Sequence, residues 1–227
     1  MRIVPFLITT AISTALVITL NTRLTIGGNE APAFGSFLSP QHGFWQNAEA
    51  VSESYTADLK FSQLNGKVDV YLDDRLVPHI FAEQENDAYF VQGFLHSKFR
   101  LWQMEFQAYA AAGRLSEILG NKDERILNFD RNMRRLGMVY AAEIALQQMN
   151  NDPVIKSQCD AYTAGVNAYI ETLTESTLPL EYKLIGYKPE KWNNLKTSLF
   201  LKYMSYDLAA HDDDFELTNA KSFFSAD

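Results

Sequence analysis

The chain has 227 residues, of which 47% are hydrophobic and 13% aromatic, so it can build a packed core and lacks the composition of a disordered protein. Its formal net charge is −8, which argues against a nucleic-acid partner because binding to phosphates requires a basic face. Its single cysteine, Cys159, excludes a disulfide within these residues and a cysteine-based metal cluster.

The first predicted element is an apolar helix at the N-terminus. Arg2 precedes an apolar run from Ile3 to Leu20, which is typical of an export signal or a membrane anchor and is barely long enough to span a bilayer. The small residues that could form a cleavage site, between Ala11 and Ala15, lie inside this run. An uncleaved anchor is therefore slightly favoured over a removed peptide, and a buried N-terminal helix is the third alternative.

This pattern also predicts where the protein is found. We expect residues 1–22 to be a signal peptide or membrane anchor and the remainder to lie in the periplasm or cell envelope, anchored to the inner membrane if the segment is retained. Residues 23–60 contain glycines and prolines with little periodicity, which predicts a tether and an irregular lead-in that docks aromatic side chains.

Two short strands are predicted next. From Lys67 to Asp73 the apolar and polar residues alternate, as in a half-buried strand, and Val77 to Phe81 is a second extended segment. Pro78 has no amide proton to donate, so it fits an edge or an entry position of a sheet.

Helical patterns dominate after Glu83. A long helix is predicted from an Asn86 cap to a break at Gly113, and it is followed by four more, over residues 114–119, 138–149, 154–173 and 195–208. Gly165 lies inside a helix, where glycine is unfavourable, which indicates close packing against a neighbouring helix. Residues 61–227 are therefore predicted to be one mostly helical α+β domain.

The residues alone nominate no catalytic group. The sequence contains no G-x-S-x-G elbow, phosphate-binding loop, dinucleotide-binding turn or H-E-x-x-H motif. Its four histidines are scattered, and His79 and His96 are expected to be hydrogen-bonded structural residues. The acidic run at 211–216 could contribute oxygen ligands to a hard cation such as calcium. A solvated acidic helix start is the favoured alternative for that run.

A set of motifs between Val68 and Gly120 points to a family. These motifs are Val68-x-Val70 with Asp73, Val77-Pro78-His79-Ile80, Asp87-Ala88, Gln92-Gly93-Phe94-Leu95-His96, Arg100-Leu101-Trp102-Gln103-Met104-Glu105, and Gly113-Arg114-Leu115-Ser116-Glu117-Ile118-Leu119-Gly120. In order and spacing they resemble the α-chain of the penicillin acylase family, which are amide hydrolases of the N-terminal-nucleophile type. The resemblance continues more thinly through Asp130, residues 162–169 and Trp192.

The resemblance implies a precursor that is cut into an α- and a β-chain. The complete enzyme would have a four-layer αββα architecture, of which this chain forms the mostly helical α-chain portion, incomplete without its β-chain. The nucleophile would be the N-terminal serine of the β-chain, with its own α-amine as base. That serine is expected beyond Asp227, so no catalytic residue is predicted in this chain, and this piece alone is expected to be inactive.

The resemblance also implies site residues and partners. Glu216 falls on the position of a glutamate that binds a structural calcium ion shared with the β-chain. The helix at 202–210 falls on a wall of the acyl-group pocket, where Met204 and Leu208 are the predicted substrate contacts and plain core packing is the alternative. The expected substrate is a small N-acyl amide, such as a penicillin or an N-acyl homoserine lactone. A non-catalytic, envelope-anchored binding or scaffold protein remains the alternative function.

Overall fold

The computed structural model of the chain describes residues 3–26, 29–31, 33–48, 54–120, 123–209 and 213–224. Within these ranges the fold is mostly helical with a few strands, as predicted, and the strands form two small antiparallel sheets. The helices are α1 (Ile3–Asn21), α2 (Phe34–Phe37), α3 (Glu85–Ala112), α4 (Leu115–Leu119), α5 (Glu124–Arg135), α6 (Met138–Asn151), α7 (Pro153–Thr172), α8 (Leu180–Ile185), α9 (Asn194–Ala209) and α10 (Asp214–Phe223). The strands are β1 (Leu24–Ile26), β2 (Asn29–Ala31), β3 (Val68–Leu72) and β4 (Pro78–Ala82), and a 3-10 turn covers Phe44–Asn47.

The N-terminal helix α1 has 19 residues, a mean hydropathy of 2.2, and no buried residue. It is long and apolar enough to cross a membrane, although a signal sequence has the same properties. The segment after it is more ordered than the predicted tether, because β1 and β2 pair as a short hairpin there.

The strands β3 and β4 form the predicted hairpin, in which Val70 lies opposite Ile80. The prediction that its apolar face is half-buried holds only in part, because Val70 is 37% exposed. On the opposite face Tyr71 and Phe81 pack edge to face at 5.8 Å and are 63% and 61% exposed. Within the described residues each strand pairs with the other alone, which leaves both outer edges of the sheet open.

The centre of the fold is the crossing of α3 and α7, where two glycines face each other's helices. A Cβ atom on Gly93 would lie 2.2 Å from the carbonyl oxygen of Tyr162, and one on Gly165 would lie 1.8 Å from that of Phe90. The prediction that Gly165 marks close helix packing is confirmed. Both helices gain dispersion contacts that any larger residue would prevent.

The cap predicted at Asn86 is wrong. The helix α3 begins at Glu85, with Gln84 as a cap residue that makes no side-chain cap bond. Asn86 instead donates to the hydroxyl of Ser157 in α7 at 2.7 Å, so its side chain ties two helices together rather than capping one. A cap is predicted from the residues next to it in sequence. That prediction cannot include a competing hydrogen-bond partner 71 residues away.

The other predicted helices agree with α4, α6, α7 and α9 to within one or two residues. The break at Gly113 is confirmed, since its φ of +63° is in the left-handed region that favours glycine. Between Gly113 and Ala209, two helices of the structure were not predicted. The helix α5 buries only Asp130 and Met133, so its apolar stripe is thin, and α8 is a six-residue turn whose Tyr182 is fully buried.

Gly165→Ala tests the crossing of α3 and α7. In an isolated helix this change would stabilise by about 1 kcal/mol. Here the methyl group must displace the Phe90 carbonyl, so we expect the free energy of unfolding to fall by about 1–3 kcal/mol. Urea unfolding of the purified protein measures it. As a control, Glu143→Ala on the exposed surface of α6 should change stability by less than about 0.5 kcal/mol. Equal or greater stability for Gly165→Ala would contradict the packing described here.

Candidate functional site

The helix α9, which carries Met204 and Leu208, is buried in its first half only. Lys196, Ser198 and Leu199 are its buried residues, and Leu199 packs in a cluster with alanines of α3 and α6. Met204 is half-buried, whereas Leu208 is 69% exposed and lies four residues further along, on the same side of the helix. Leu208 therefore does not pack in the core of the described fold, and both side chains are placed where a partner or ligand could contact them.

Large apolar side chains beyond Leu199 are unusually exposed. This end of the chain is rich in leucines and phenylalanines that have no cover in the part of the chain that the structure describes: Leu201 (47% exposed), Leu208 (69%), Phe215 (81%), Leu217 (64%), Phe223 (89%) and Phe224 (75%). Soluble proteins rarely expose so many large apolar groups in one stretch unless another surface covers them. The stretch from α9 to α10 therefore has the character of an interface.

Glu216 lies in the first turn of α10 with its side chain exposed. Asp214 shares that turn, so the acidic helix start is real, and negative charge there is favourable next to the helix dipole. His211 and Asp212, from the same acidic run, lie outside the described residues. Among the residues that the structure describes, no group of three or more His, Cys, Asp or Glu side chains is arranged to hold a metal ion. The described residues around Glu216 therefore form no metal site by themselves.

Two shallow depressions occur on the described surface, and neither includes the predicted contacts. One, of about 400 Å³, lies between the N-terminal ends of α3 and α7, and the other, of about 340 Å³, lies beside the end of α7. Met204, Leu208 and Glu216 line neither of them.

A buried ionic cluster, which the sequence did not predict, joins α3, α8 and α9. Glu105 of α3 is 1% exposed and accepts hydrogen bonds from the Lys196 ammonium at 3.1 Å, the Tyr182 hydroxyl at 2.7 Å and the Glu190 amide at 2.8 Å. Lys196 also lies 3.2 Å from the carboxylate of Glu190. The negative charge of Glu105 is thus compensated by a positive charge and two further donors, which a buried carboxylate requires.

Three tyrosines and an arginine extend this cluster. Burial raises the pKa of Tyr109 and Tyr182 far above the usual range, and raises the pKa of Tyr187 to about 12, so all three phenols stay neutral at physiological pH. The Arg114 guanidinium lies 4.5 Å from the centre of the Tyr109 ring and bonds to Glu190 at 3.3 Å. In the described fold no buried side-chain donor or acceptor lacks a partner, so this cluster offers no free group to a substrate and is structural.

Two other buried carboxylates from the motifs also bind backbone. Asp87 accepts hydrogen bonds from the amides of Asn65 and Gly66, which fixes the loop before β3. Asp130 accepts from the amides of Leu115 and Ser116, which holds the start of α4. The motif acids are therefore anchors for loops and helix ends, not catalytic acids or bases.

Neither His96 nor Cys159 has the properties of an activated base or nucleophile. The Nδ1 atom of His96 lies 3.1 Å from the Tyr162 hydroxyl, and burial lowers the pKa of this histidine, as expected for a structural residue. Cys159 is half-buried, and burial followed by the neighbouring Asp160 charge raises the pKa of its thiol. A raised pKa keeps the sulfur protonated and poorly nucleophilic.

Comparison with known proteins places this arrangement in a family. Residues 67–226 match the family described as Penicillin amidase, and that match covers more than half of the chain. The chain belongs to the penicillin amidase family. The match begins just before β3 and includes the α3–α7 crossing, the ionic cluster and all three predicted site residues, Met204, Leu208 and Glu216.

Individual relatives of this penicillin amidase family member carry two kinds of name. The chain is 35% identical over 144 residues to Penicillin acylase 2 proenzyme of Pseudomonas sp. (strain SE83), covering 63% of this chain and 18% of that protein. It is 34% identical over 135 residues to the acyl-homoserine lactone acylase QuiP of Pseudomonas aeruginosa, covering 60% of this chain and 15% of that protein. The chain thus spans less than a fifth of the length of these relatives.

A solved structure shows the same fold. A thermostable penicillin G acylase from Alcaligenes faecalis superposes with a TM-score of 0.59 at 21% sequence identity, over 68% of this chain and 80% of that one. The predicted fold class, a mostly helical α+β part of this amidase fold, is therefore confirmed.

Lys196→Met tests the buried cluster of this amidase family member. Removing the ammonium leaves the Glu105 carboxylate buried without its charge partner, and breaking a buried pair in this way typically costs about 3–5 kcal/mol. We expect a loss of that size in urea unfolding. Lys191→Met is the matched control, because Lys191 pairs with Glu171 on the surface and is 78% exposed. Similar losses in the two variants would show that the buried pair has no special role.

Proposed function

We propose that this chain is the N-terminal, α-chain part of an amidohydrolase that cleaves linear amide bonds, of the penicillin acylase or acyl-homoserine lactone acylase type. The observation that carries the proposal is the family match over residues 67–226, with relatives that bear both names. One of those relatives is named a proenzyme, in keeping with a precursor that is cut.

In this proposal the reaction uses the N-terminal serine of a β-chain. The serine hydroxyl attacks the amide carbonyl, the α-amine of the same residue accepts its proton, and hydrogen-bond donors stabilise the tetrahedral oxyanion. A free α-amine has a pKa of about 8, so it can act as a base near neutral pH without a histidine. The proton then passes to the leaving amine, and water releases the acyl group from the serine.

The contribution of this chain is to hold the acyl group. Met204 and Leu208 present apolar side chains on one side of α9, at the end that is not buried in the described fold. An acyl chain placed against them would leave water, which favours binding in proportion to its apolar area. The rigid first half of α9, held by Lys196 and Leu199, would fix the position of this wall.

The proposed partner is the β-chain. Two described surfaces support it: the apolar side chains from Leu201 to Phe224, and the open edges of the β3–β4 hairpin. A strand with unpaired amides and carbonyls at its edge is suited to continue into a larger sheet. The segment α1 supports export to the periplasm or cell envelope.

Glu216 is the proposed calcium ligand of this chain. Its carboxylate is exposed at the start of α10 and provides the hard oxygen that calcium prefers. The other ligands would come from the β-chain. The ion would be structural, linking α10 to the rest of the enzyme.

Amide hydrolysis by the full-length protein tests the proposed function. We expect it to release the acyl group from penicillins or N-acyl homoserine lactones, and to yield a second chain that begins with serine when its N-terminus is sequenced.

Met204→Ala and Leu208→Ala should change the ratio of kcat/KM between long and short acyl chains by roughly 10-fold or more, since a methylene in an apolar pocket contributes about 1–3 kcal/mol.

Val154→Ala is the control for these variants, because Val154 is 62% exposed on α7, away from α9. Its acyl-chain preference should equal that of the unmodified protein. Failure to hydrolyse any of these amides, together with the absence of a second chain, would reject the proposed function. Hydrolysis with an unchanged preference in both α9 variants would reject only the assignment of Met204 and Leu208.

Glu216→Gln tests the calcium assignment. In the full-length protein the neutral amide should bind calcium more weakly, so the Tm measured in calcium should fall towards that of the chelator-treated protein. Glu143→Gln, an exposed change on α6, is the matched control and should leave the calcium-dependent part of the Tm unchanged. An equal response of the unmodified protein and Glu216→Gln to calcium removal would show that Glu216 is not a ligand.

A further inference from the structure

The end of α1 is attached to one particular face of the domain. We propose that α1 stays attached and crosses the bilayer, and that this face rests on the membrane surface with Trp45 in the headgroup region. The face, called here the α8 face, consists of α2, Leu38, the turn Phe44–Asn47 and α8.

The length and exposure of α1 suit a membrane-spanning helix. Its 19 residues, at about 1.5 Å of rise each, give roughly 28 Å, close to the roughly 30 Å thickness of a bilayer core. None of its residues is buried by the described domain, so its apolar surface requires another apolar environment. One arginine flanks it on each side, Arg2 and Arg23, so these charges set no orientation, and the proposal places the domain outside because the helix carries an export-type sequence.

The exit of α1 from the membrane is fixed by direct contacts to the domain. The Arg23 guanidinium donates to the carbonyl oxygens of Ile185 at 2.8 Å and Gly186 at 3.4 Å, at the C-terminal end of α8. Asn21, the last residue of α1, lies against Gly35 in α2, where a Cβ atom would be 2.6 Å from its side-chain oxygen. Asn21 at the end of α1 and Arg23 just beyond it are thus both in contact with the domain, which fixes the place where α1 leaves it.

These contacts leave little distance between the membrane and the domain. Two residues of extended chain cover at most about 7 Å, and the headgroup layer on each side of a bilayer is roughly 5–8 Å thick. Arg23 is two residues beyond the end of α1. The end of α8 that it binds must therefore lie at the headgroup layer if α1 spans the core.

The rest of the α8 face is fastened to the same point. The Lys183 ammonium donates to the Gly43 carbonyl at 3.0 Å and the Asn47 side-chain oxygen at 2.7 Å, while the Asn47 amide donates to the Leu178 carbonyl at 3.0 Å. The helix α8 and the turn Phe44–Asn47 therefore keep a fixed position relative to Arg23. They reach the membrane surface together.

Besides the acidic Glu181, the α8 face exposes a tryptophan and several leucines, side chains that are common at a membrane interface. Trp45 is 58% exposed and is supported from behind by Phe44, whose ring centre is 4.3 Å away. Leu180 and Leu184, 43% and 48% exposed, lie four residues apart on one side of α8, and Leu38 is 47% exposed. Tryptophan is enriched at the headgroup level of membranes. Because Arg23 and Lys183 are bonded to oxygens of the protein, the contact should depend on apolar insertion rather than on anionic lipid.

Position-specific fluorescence tests the contact. The full-length protein, with Cys159 and any other cysteine changed to serine, is given one cysteine by Trp45→Cys, Leu184→Cys or Tyr140→Cys and labelled with an environment-sensitive fluorophore. It is then reconstituted in phosphatidylcholine vesicles with or without lipids that carry a doxyl quencher near the headgroup. The control position, Tyr140, is 70% exposed on α6.

We expect the labels at 45 and 184 to lose most of their fluorescence to the doxyl lipids and the label at 140 to keep it. The same loss should occur when phosphatidylglycerol replaces part of the phosphatidylcholine. Equal quenching at all three positions, or none at 45 and 184, would overturn the contact. A mature N-terminus within α1 or beyond Asn21 would overturn the retained anchor. Neither result would bear on amide hydrolysis, so this inference fails or stands separately from the proposed function.

Discussion

The structure depends most on one buried charge pair, Glu105 with Lys196. These residues are 91 positions apart, and their contact brings α3 and α9 together while Tyr182 and Glu190 complete the shell around the carboxylate. A buried ion pair contributes little net stability compared with well-packed apolar groups. A single buried charge without its partner is costly, however, so arrangements that separate the two residues are disfavoured. We therefore expect its main effect to be specificity, by favouring one position of α9 along α3.

The sequence contained enough information for most of the elements. Alternation at residues 67–73 predicted β3, glycine predicted the end of α3, and Gly165 predicted the closest helix contact, since each depends on neighbours or on the absence of a side chain. It did not reveal the features that depend on contacts between residues far apart in sequence. The helix α8 exists because Tyr182 is buried against Glu105, and Asn86 bonds to α7 instead of capping α3. Lys196, a charged residue in an apolar helix, has no local pattern that identifies it as buried.

The candidate site residues were less predictable from local sequence patterns than the helices and strands were. Met204, Leu208 and Glu216 came from the family resemblance, because an exposed leucine or a glutamate at a helix start has no chemical signature of its own. The structure adds their setting: a helix rigid at one end, apolar and exposed at the other, followed by an acidic turn. The roles of the motif acids Glu105 and Asp130 were not predicted, and the structure shows that they anchor helices and loops.

The open edges of the β3–β4 hairpin have a consequence for how the protein is made. The helices of the described fold pack against one another, whereas the hairpin, with Tyr71 and Phe81 exposed, has no further strand partner among the described residues. Unpaired strand edges next to aromatic side chains are templates for aggregation between chains. When residues 61–227 are produced by themselves, we therefore expect the hairpin to promote aggregation.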